Sequence, residues 1–129
     1  MGHGRKNNAM INHVTVKVKD FEKEEAFYEA ALAPLGYGKG PAFPGVQAFV
    51  AKDGSAVWVS TAADGDAVSP IHVAFQVADD DAVKAFYEAG LTNGGTDNGE
   101  PGPRPNYGPT YYAAFVHDPE GNNIEAMLV

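Results

Sequence analysis

Residues 13–20 of the chain read HVTVKVKD, and residues 72–79 read HVAFQVAD. Apolar residues recur at every second position in both stretches, which predicts strands with one face in the core. Each stretch ends in an aspartate that can cap a following helix. His13 and His72 open the two strands and therefore occupy equivalent positions.

A second phrase repeats at the same spacing: AFYEAAL at residues 26–32 returns as AFYEAGL at residues 85–91. Two phrases repeated in one register indicate a duplicated unit, and such a repeat decides the fold before local propensity does. In each copy the phrase follows the predicted strand, and its apolar residues recur at helical spacing. We predict an α+β fold with two modules, at about residues 10–62 and 70–129, in one domain.

Each module is expected to end in a hairpin. In the first, strands at Val46–Ala51 and Ala56–Thr61 flank the turn Asp53-Gly54, and in the second, strands at Tyr111–His117 and Asn123–Leu128 flank an Asp-Pro-Glu-Gly turn. The order is β-α-β-β, with room for a further short strand near residue 37 of the first module.

The main asymmetry between the modules is Gly94–Pro109, which has nine glycines and prolines in 16 residues. We expect the second helix to break at Gly90 and this segment to be an irregular loop over the mouth of a cleft. It contains Arg104, the only arginine beyond residue 9. Its guanidinium suits a carboxylate or phosphate group; alternatively, it is a solvated side chain beside Glu100.

Composition limits the classes of function. The chain has 129 residues, enough for one domain, with 44% apolar and 20% charged residues and no cysteine. Thiolate catalysis and sulfur-bound zinc are therefore excluded, and a cytoplasmic location is expected. No apolar run is long enough for a membrane helix.

Residues 1–9 have no apolar pattern and are predicted to be a disordered leader, with Met10 as a plausible natural start. All 17 acidic residues but only seven of the nine lysines and arginines lie beyond residue 9, which gives residues 10–129 a net charge of −10. A domain this acidic repels phosphate backbones, which argues against nucleic-acid binding.

Strand parity predicts a metal site. His13 and His72 alternate with the apolar residues of their strands, and Glu125 alternates with Ile124 and Ala126. All three side chains should therefore point away from the helix-covered side of the sheets. Two imidazoles and a carboxylate with open coordination positions suit Fe(II), and also Mn, Zn or Ni.

The chain resembles the vicinal oxygen chelate superfamily, which includes glyoxalase I, bleomycin-resistance and fosfomycin-resistance proteins and extradiol dioxygenases. The resemblance rests on INHV at residues 11–14, IHVAF at residues 71–75 and YYAAFVHDPEGNNIE at residues 111–125. It implies two βαβββ modules whose mixed sheets form a cup around the site, commonly in homodimers.

The resemblance also implies ligand positions. His13, His72 and Glu125 match three of the family's four ligand positions, whereas the remaining position falls at Trp58. Tryptophan cannot ligate a metal, so the resemblance argues against glyoxalase I activity itself.

Two classes of function remain open at the sequence level. The first is a metal-dependent enzyme, dioxygenase-, lyase- or isomerase-like, in which one divalent ion (Fe, Mn, Zn or Ni) binds a small oxygen-bearing substrate that is anionic or aromatic. The second is a metal-free protein that binds or sequesters a drug-like molecule. We predict that the substrate contacts are Trp58, Arg104, Tyr111 and Tyr112.

Overall fold

The computed structural model describes residues 9–129, so residues 1–8 of the leader predicted at residues 1–9 lie outside the described residues. The elements follow in this order: β1 (His13–Val18), α1 (Phe21–Leu32), a 3-10 turn (Ala33–Leu35), β2 (Gly38–Phe43), β3 (Val46–Val50), β4 (Ala56–Thr61), β5 (His72–Gln76), α2 (Asp80–Thr92), β6 (Thr96–Pro103), β7 (Tyr112–His117) and β8 (Asn123–Leu128). Each module therefore has the order βαβββ.

The two modules have the same topology. Their four-stranded sheets have the strand orders β1-β4-β3-β2 and β5-β8-β7-β6. In each sheet the first strand of the module pairs in parallel with the last, and the other pairs are antiparallel. The duplication and the α+β class predicted from the repeats are confirmed.

One face of each sheet is covered by helices. Helix α1 packs on the first sheet, α2 packs on the second sheet, and the helices contact each other. Val16, Val18, Ile124 and Ala126 point into this shared core and are buried. The alternate residues of β1, beginning with His13, are exposed. The helices thus lie between the sheets, and each sheet has an open face on the other side.

The second helix does not break at Gly90, as the sequence suggested, but continues to Thr92. A Cβ atom on Gly90 would lie 3.2 Å from a methyl group of Val116 and 3.4 Å from the ring of Phe27. The glycine therefore permits α2 to approach its own sheet and the first module closely. Its role is packing, not helix termination.

The prediction of an irregular loop at residues 94–109 was wrong for its first half. Residues 96–103 form β6, an edge strand whose pairing with β7 shifts register between Asp97 and Gly99 and again between Gly99 and Gly102. Edge strands with bulges tolerate glycine and proline. Proline has no N–H group, and at an edge it can occupy positions where that group would face outward and need no partner. The remaining connection, residues 104–111, is closed by a hydrogen bond from the Arg104 N–H to the Tyr111 carbonyl at 2.8 Å.

Polar contacts link the modules at the β7–β8 turn. The Glu120 side chain accepts hydrogen bonds from the backbone N–H groups of Lys19 and Asp20, with its shortest contact, to Asp20, at 2.7 Å. The Tyr28 hydroxyl of α1 donates to Asp118 at 2.6 Å. This turn therefore holds the corner between β1 and α1. No helix within residues 9–129 combines the length and apolarity required to cross a membrane.

Candidate metal and substrate site

The open face of the second sheet brings two of the predicted ligands together. Strands β5 and β8 pair in parallel, with Ala74 opposite Glu125, which places His72 and Glu125 on one face. The Nε2 atom of His72 lies 2.8 Å from Oε1 of Glu125. Glu125 is only 3% exposed, whereas the His72 side chain is 53% exposed. The pair therefore combines a fixed carboxyl group with an accessible imidazole.

Tyr111 contacts the other oxygen of this carboxyl group. Its hydroxyl donates a hydrogen bond to Oε2 of Glu125 at 2.5 Å. This hydrogen bond, followed by burial and the charge of Glu125, raises the pKa of Tyr111 to about 12. The phenol consequently keeps its proton at neutral pH and remains a donor. Both oxygens of Glu125 thus have defined partners.

The His72–Glu125 pair suits a divalent ion. Imidazole nitrogen and carboxylate oxygen are common ligands of Fe, Mn and Zn. Two ligands bound to one ion at about 2.1 Å and at right angles lie about 3 Å apart. The observed separation of 2.8 Å is close to this value.

His13, the third predicted ligand, lies apart from this pair. It opens β1 on the first sheet, is exposed, and its Nδ1 lies 2.8 Å from Oδ1 of Asn12. Within residues 9–129, no three histidine, aspartate or glutamate side chains are grouped closely enough to hold a metal ion. One chain therefore brings together His72 and Glu125 but not His13.

Trp58 lies on the same open face as His13. On β4 it is the register partner of Thr15, and its ring stacks on Phe43 with centroids 6.4 Å apart and planes 9° from parallel. Phe43 is 62% exposed. The first sheet therefore presents a flat aromatic surface beside His13.

The two neighbouring tyrosines of the sequence separate in the structure. Tyr111 contacts Glu125 on the open face, whereas Tyr112 packs against the core. Successive residues of a strand point to opposite faces, so only one of the pair can reach the site. Tyr112, which was predicted to contact substrate, therefore points away from the open face.

Phe115 lies beside His72 and Glu125 on the open face, and the sequence analysis did not single it out. It is the cross-strand partner of Glu125, and its ring centroid lies 6.2 Å from that of His72. Counting in steps of two from Tyr111 along β7 would have placed it on the open face. Arg104 lies over the same ring, with its guanidinium carbon 5.4 Å from the centroid.

The family model of the Glyoxalase/Bleomycin resistance protein/Dioxygenase superfamily matches residues 10–126. The chain belongs to this superfamily. The match covers both modules and includes His13, His72 and Glu125. A search of curated proteins found no match to the chain.

Solved structures of superfamily members have the same fold. A glyoxalase/bleomycin resistance protein from Albidiferax ferrireducens T118 is 32% identical, with a TM-score of 0.82 over 94% of this chain and 100% of that one. A glyoxalase-related enzyme from Fulvimarina pelagi is 18% identical, with a TM-score of 0.74 over 93% and 88% of the two chains. A glyoxalase/bleomycin resistance protein/dioxygenase family enzyme from Burkholderia phytofirmans PsJN is 20% identical, with a TM-score of 0.72 over 94% and 99%.

Proposed function

We propose that this protein is a metal-dependent enzyme of the superfamily that acts on a small molecule with two adjacent oxygen atoms. One divalent ion, Fe, Mn, Zn or Ni, would be held by His72, Glu125 and His13. The observation that supports this most is the separation of 2.8 Å between His72 and Glu125 on an open sheet face. The reaction class is dioxygenase-, lyase- or isomerase-like, and glyoxalase I activity is disfavoured by Trp58.

The residues around the ion would have separate roles. When bound, the ion supplies a Lewis acid that stabilises negative charge on a substrate oxygen. Tyr111 holds Oε2 of Glu125 through its hydrogen bond and thereby fixes the orientation of the carboxylate toward His72. The exposed side of His72 leaves room for substrate.

We propose that His13 reaches the site from a second copy of the chain, in a homodimer. The helices lie between the sheets, so the open faces that carry His13 and the His72–Glu125 pair are on opposite sides of one chain. A second copy can bring its first sheet against this second sheet, and a two-fold axis would then form two equivalent sites. The same contact would cover the exposed surface of Phe43.

This dimer would also assemble the substrate walls. The stacked pair of Trp58 and Phe43 would face Tyr111 and Phe115 across the cleft, and flat aromatic side chains favour an aromatic or planar ligand. A cytoplasmic location stays a prediction from the absence of cysteine.

Metal analysis of protein purified without chelator tests the proposal. We expect about one divalent ion per chain and its loss in Glu125→Gln, which removes the carboxylate ligand. Glu88→Gln is the matched control, because Glu88 is exposed on α2. Equal metal content in Glu125→Gln and in the native protein would remove Glu125 from the site.

The alternative is a metal-free protein that binds an aromatic molecule, and the exposed Phe43–Trp58 stack favours it. Trp58 is the only tryptophan, so its fluorescence reports on this surface. Binding of aromatic compounds that quenches Trp58 equally with and without added metal, in protein that retains no ion, would favour this alternative.

A further inference from the structure

Arg104 lies on the open face of the second sheet, against Phe115 and beside two glycines of β6. Its backbone N–H donates to the carbonyl of Tyr111, and its side chain runs back along β6 toward Phe115. A Cβ atom on Gly99 would lie 3.1 Å from Nη2, and one on Gly102 would lie 3.5 Å from Nη1. Gly99 therefore leaves space that the guanidinium occupies, and Gly102 lies at ordinary contact distance from it.

The guanidinium is fixed by backbone carbonyl groups. Nη1 donates to the carbonyls of Gly102 at 2.9 Å and Pro103 at 3.3 Å, and Nη2 donates to the carbonyl of Glu100 at 2.7 Å. The contact with the Phe115 ring adds a cation–π attraction. A side chain held in this way loses little conformational entropy when a ligand binds.

The positive charge of Arg104 has no anionic partner in the described part of the chain. Its contact with Glu100 is to the backbone carbonyl, and the ion pairs found within residues 9–129 involve lysines and His72 instead. The solvated Arg104–Glu100 pair considered from the sequence is therefore absent. An arginine has five N–H donors, and three hydrogen bonds to protein leave two for a ligand.

The charge lies next to the proposed metal site. Phe115, under the guanidinium, is the cross-strand partner of Glu125 and neighbours the His72 ring. Residues 10–129 carry a net charge of −10, so an unpaired arginine is a local positive region on a surface that otherwise repels anions. Two N–H groups of one planar guanidinium match the two oxygens of a carboxylate.

We infer that Arg104 is a specificity-determining residue that binds a carboxylate group of the substrate. The substrate class is then a small carboxylic acid whose other oxygen atoms reach the ion held by His72 and Glu125. Only the claim that the other oxygen atoms reach the ion rests on the proposed function. Binding of the carboxylate by Arg104 does not require the metal.

Benzoate and benzamide test the arginine separately from the metal when the protein has been treated with chelator, because the two probes have nearly the same shape and differ in charge. Calorimetry on the full-length protein should give tighter binding of benzoate than of benzamide. Arg104→Gln should weaken benzoate binding by about 10- to 100-fold, as expected for hydrogen bonds to a charged group, and should leave benzamide unchanged. The control Lys84→Gln removes the same charge from the exposed face of α2 and should keep the preference.

No preference in the native protein, or the same preference in Arg104→Gln, would overturn the inference. Tighter Arg104-dependent binding of inorganic phosphate than of benzoate would overturn the assignment to carboxylates. In metal-loaded protein, 3,4-dihydroxybenzoate should bind more tightly than benzoate, because one molecule reaches both the arginine and the ion. If protein that is shown to contain the ion binds benzoate and 3,4-dihydroxybenzoate equally, one molecule does not contact both Arg104 and the ion. If no ion is retained, the proposed function fails but the benzoate comparison stands.

Discussion

The Tyr111 hydroxyl lies 2.5 Å from Oε2 of Glu125, while Oε1 of the same carboxyl group lies 2.8 Å from His72. The buried carboxyl group is thus held between a donor that keeps its proton and the imidazole of a candidate ligand. A hydrogen bond behind a metal-binding carboxylate fixes its orientation and commonly changes metal affinity by about 10- to 100-fold.

We therefore expect Tyr111→Phe to weaken metal binding by about 10- to 100-fold without abolishing it. The phenyl ring keeps the packing while the hydrogen bond to Oε2 is lost. Metal competition with a chromophoric chelator measures the change. Tyr37→Phe is the control, since the Tyr37 hydroxyl contacts Ser55 in the first module, away from Glu125. An identical affinity in Tyr111→Phe would show that the hydrogen bond does not support the site.

Mixing two inactive variants distinguishes a shared site from a site within one chain. His13→Ala and Glu125→Ala should each fail to bind metal. If His13 acts across a two-fold axis, a heterodimer of the variants contains one intact site and one that lacks both ligands. We expect about one ion per heterodimer after the variants are unfolded and refolded together. No recovery, with heterodimers present, would contradict the sharing.

The assembly itself is measured by sedimentation. A homodimer at micromolar concentration is expected, because both open sheet faces of the monomer carry exposed site residues. A monomer at that concentration would contradict the shared site.

Glu24 makes stability depend on pH. This residue of α1 is fully buried, and neither carboxyl oxygen has a hydrogen-bond partner. Burial first, and then the nearby charges of Asp118, Glu120 and Asp20, raise its pKa from 4.5 to about 9. The Tyr28 hydroxyl, which also faces this group, donates to Asp118. In the folded protein Glu24 therefore holds a proton at neutral pH.

Because the folded state binds this proton more tightly than the unfolded state, the contribution of Glu24 is fully present below pH 4.5 and is lost as the pH rises toward 9. Between pH 5 and pH 8 the native protein should lose about 2–4 kcal/mol of unfolding free energy relative to Glu24→Gln. Urea unfolding at several pH values measures this difference. Glu22→Gln, an exposed change two residues earlier in α1, should run parallel to the native protein. A constant difference between Glu24→Gln and the native protein at all pH values would contradict the assignment.

The repeats allowed much of the fold to be predicted. The phrases at residues 13–20 and 72–79 gave equivalent strands, and their parity placed His72 and Glu125 on one face. Gly94–Pro109 was misread because its glycines serve a contact that local sequence does not encode. Gly99 leaves space for the Arg104 side chain at the edge of the sheet.

Contacts between the two modules could not be predicted from the sequence. Glu24 lies three residues after Phe21 and four before Tyr28, so helical spacing places it on the buried side of α1. Its surroundings were not, because Asp118 and Glu120 come from the other end of the chain. Repeat equivalence likewise relates His13 to His72 without indicating which chain completes the site.

A crystal structure of the protein soaked in Mn²⁺, with anomalous scattering recorded, tests the metal site most directly. The account predicts one strong peak at about 2.0–2.2 Å from both His72 Nε2 and Glu125 Oε1, with His13 of a second copy as the third protein ligand. A peak bound by other residues, or no peak with the contact between His72 and Glu125 at 2.8 Å unchanged, would contradict it.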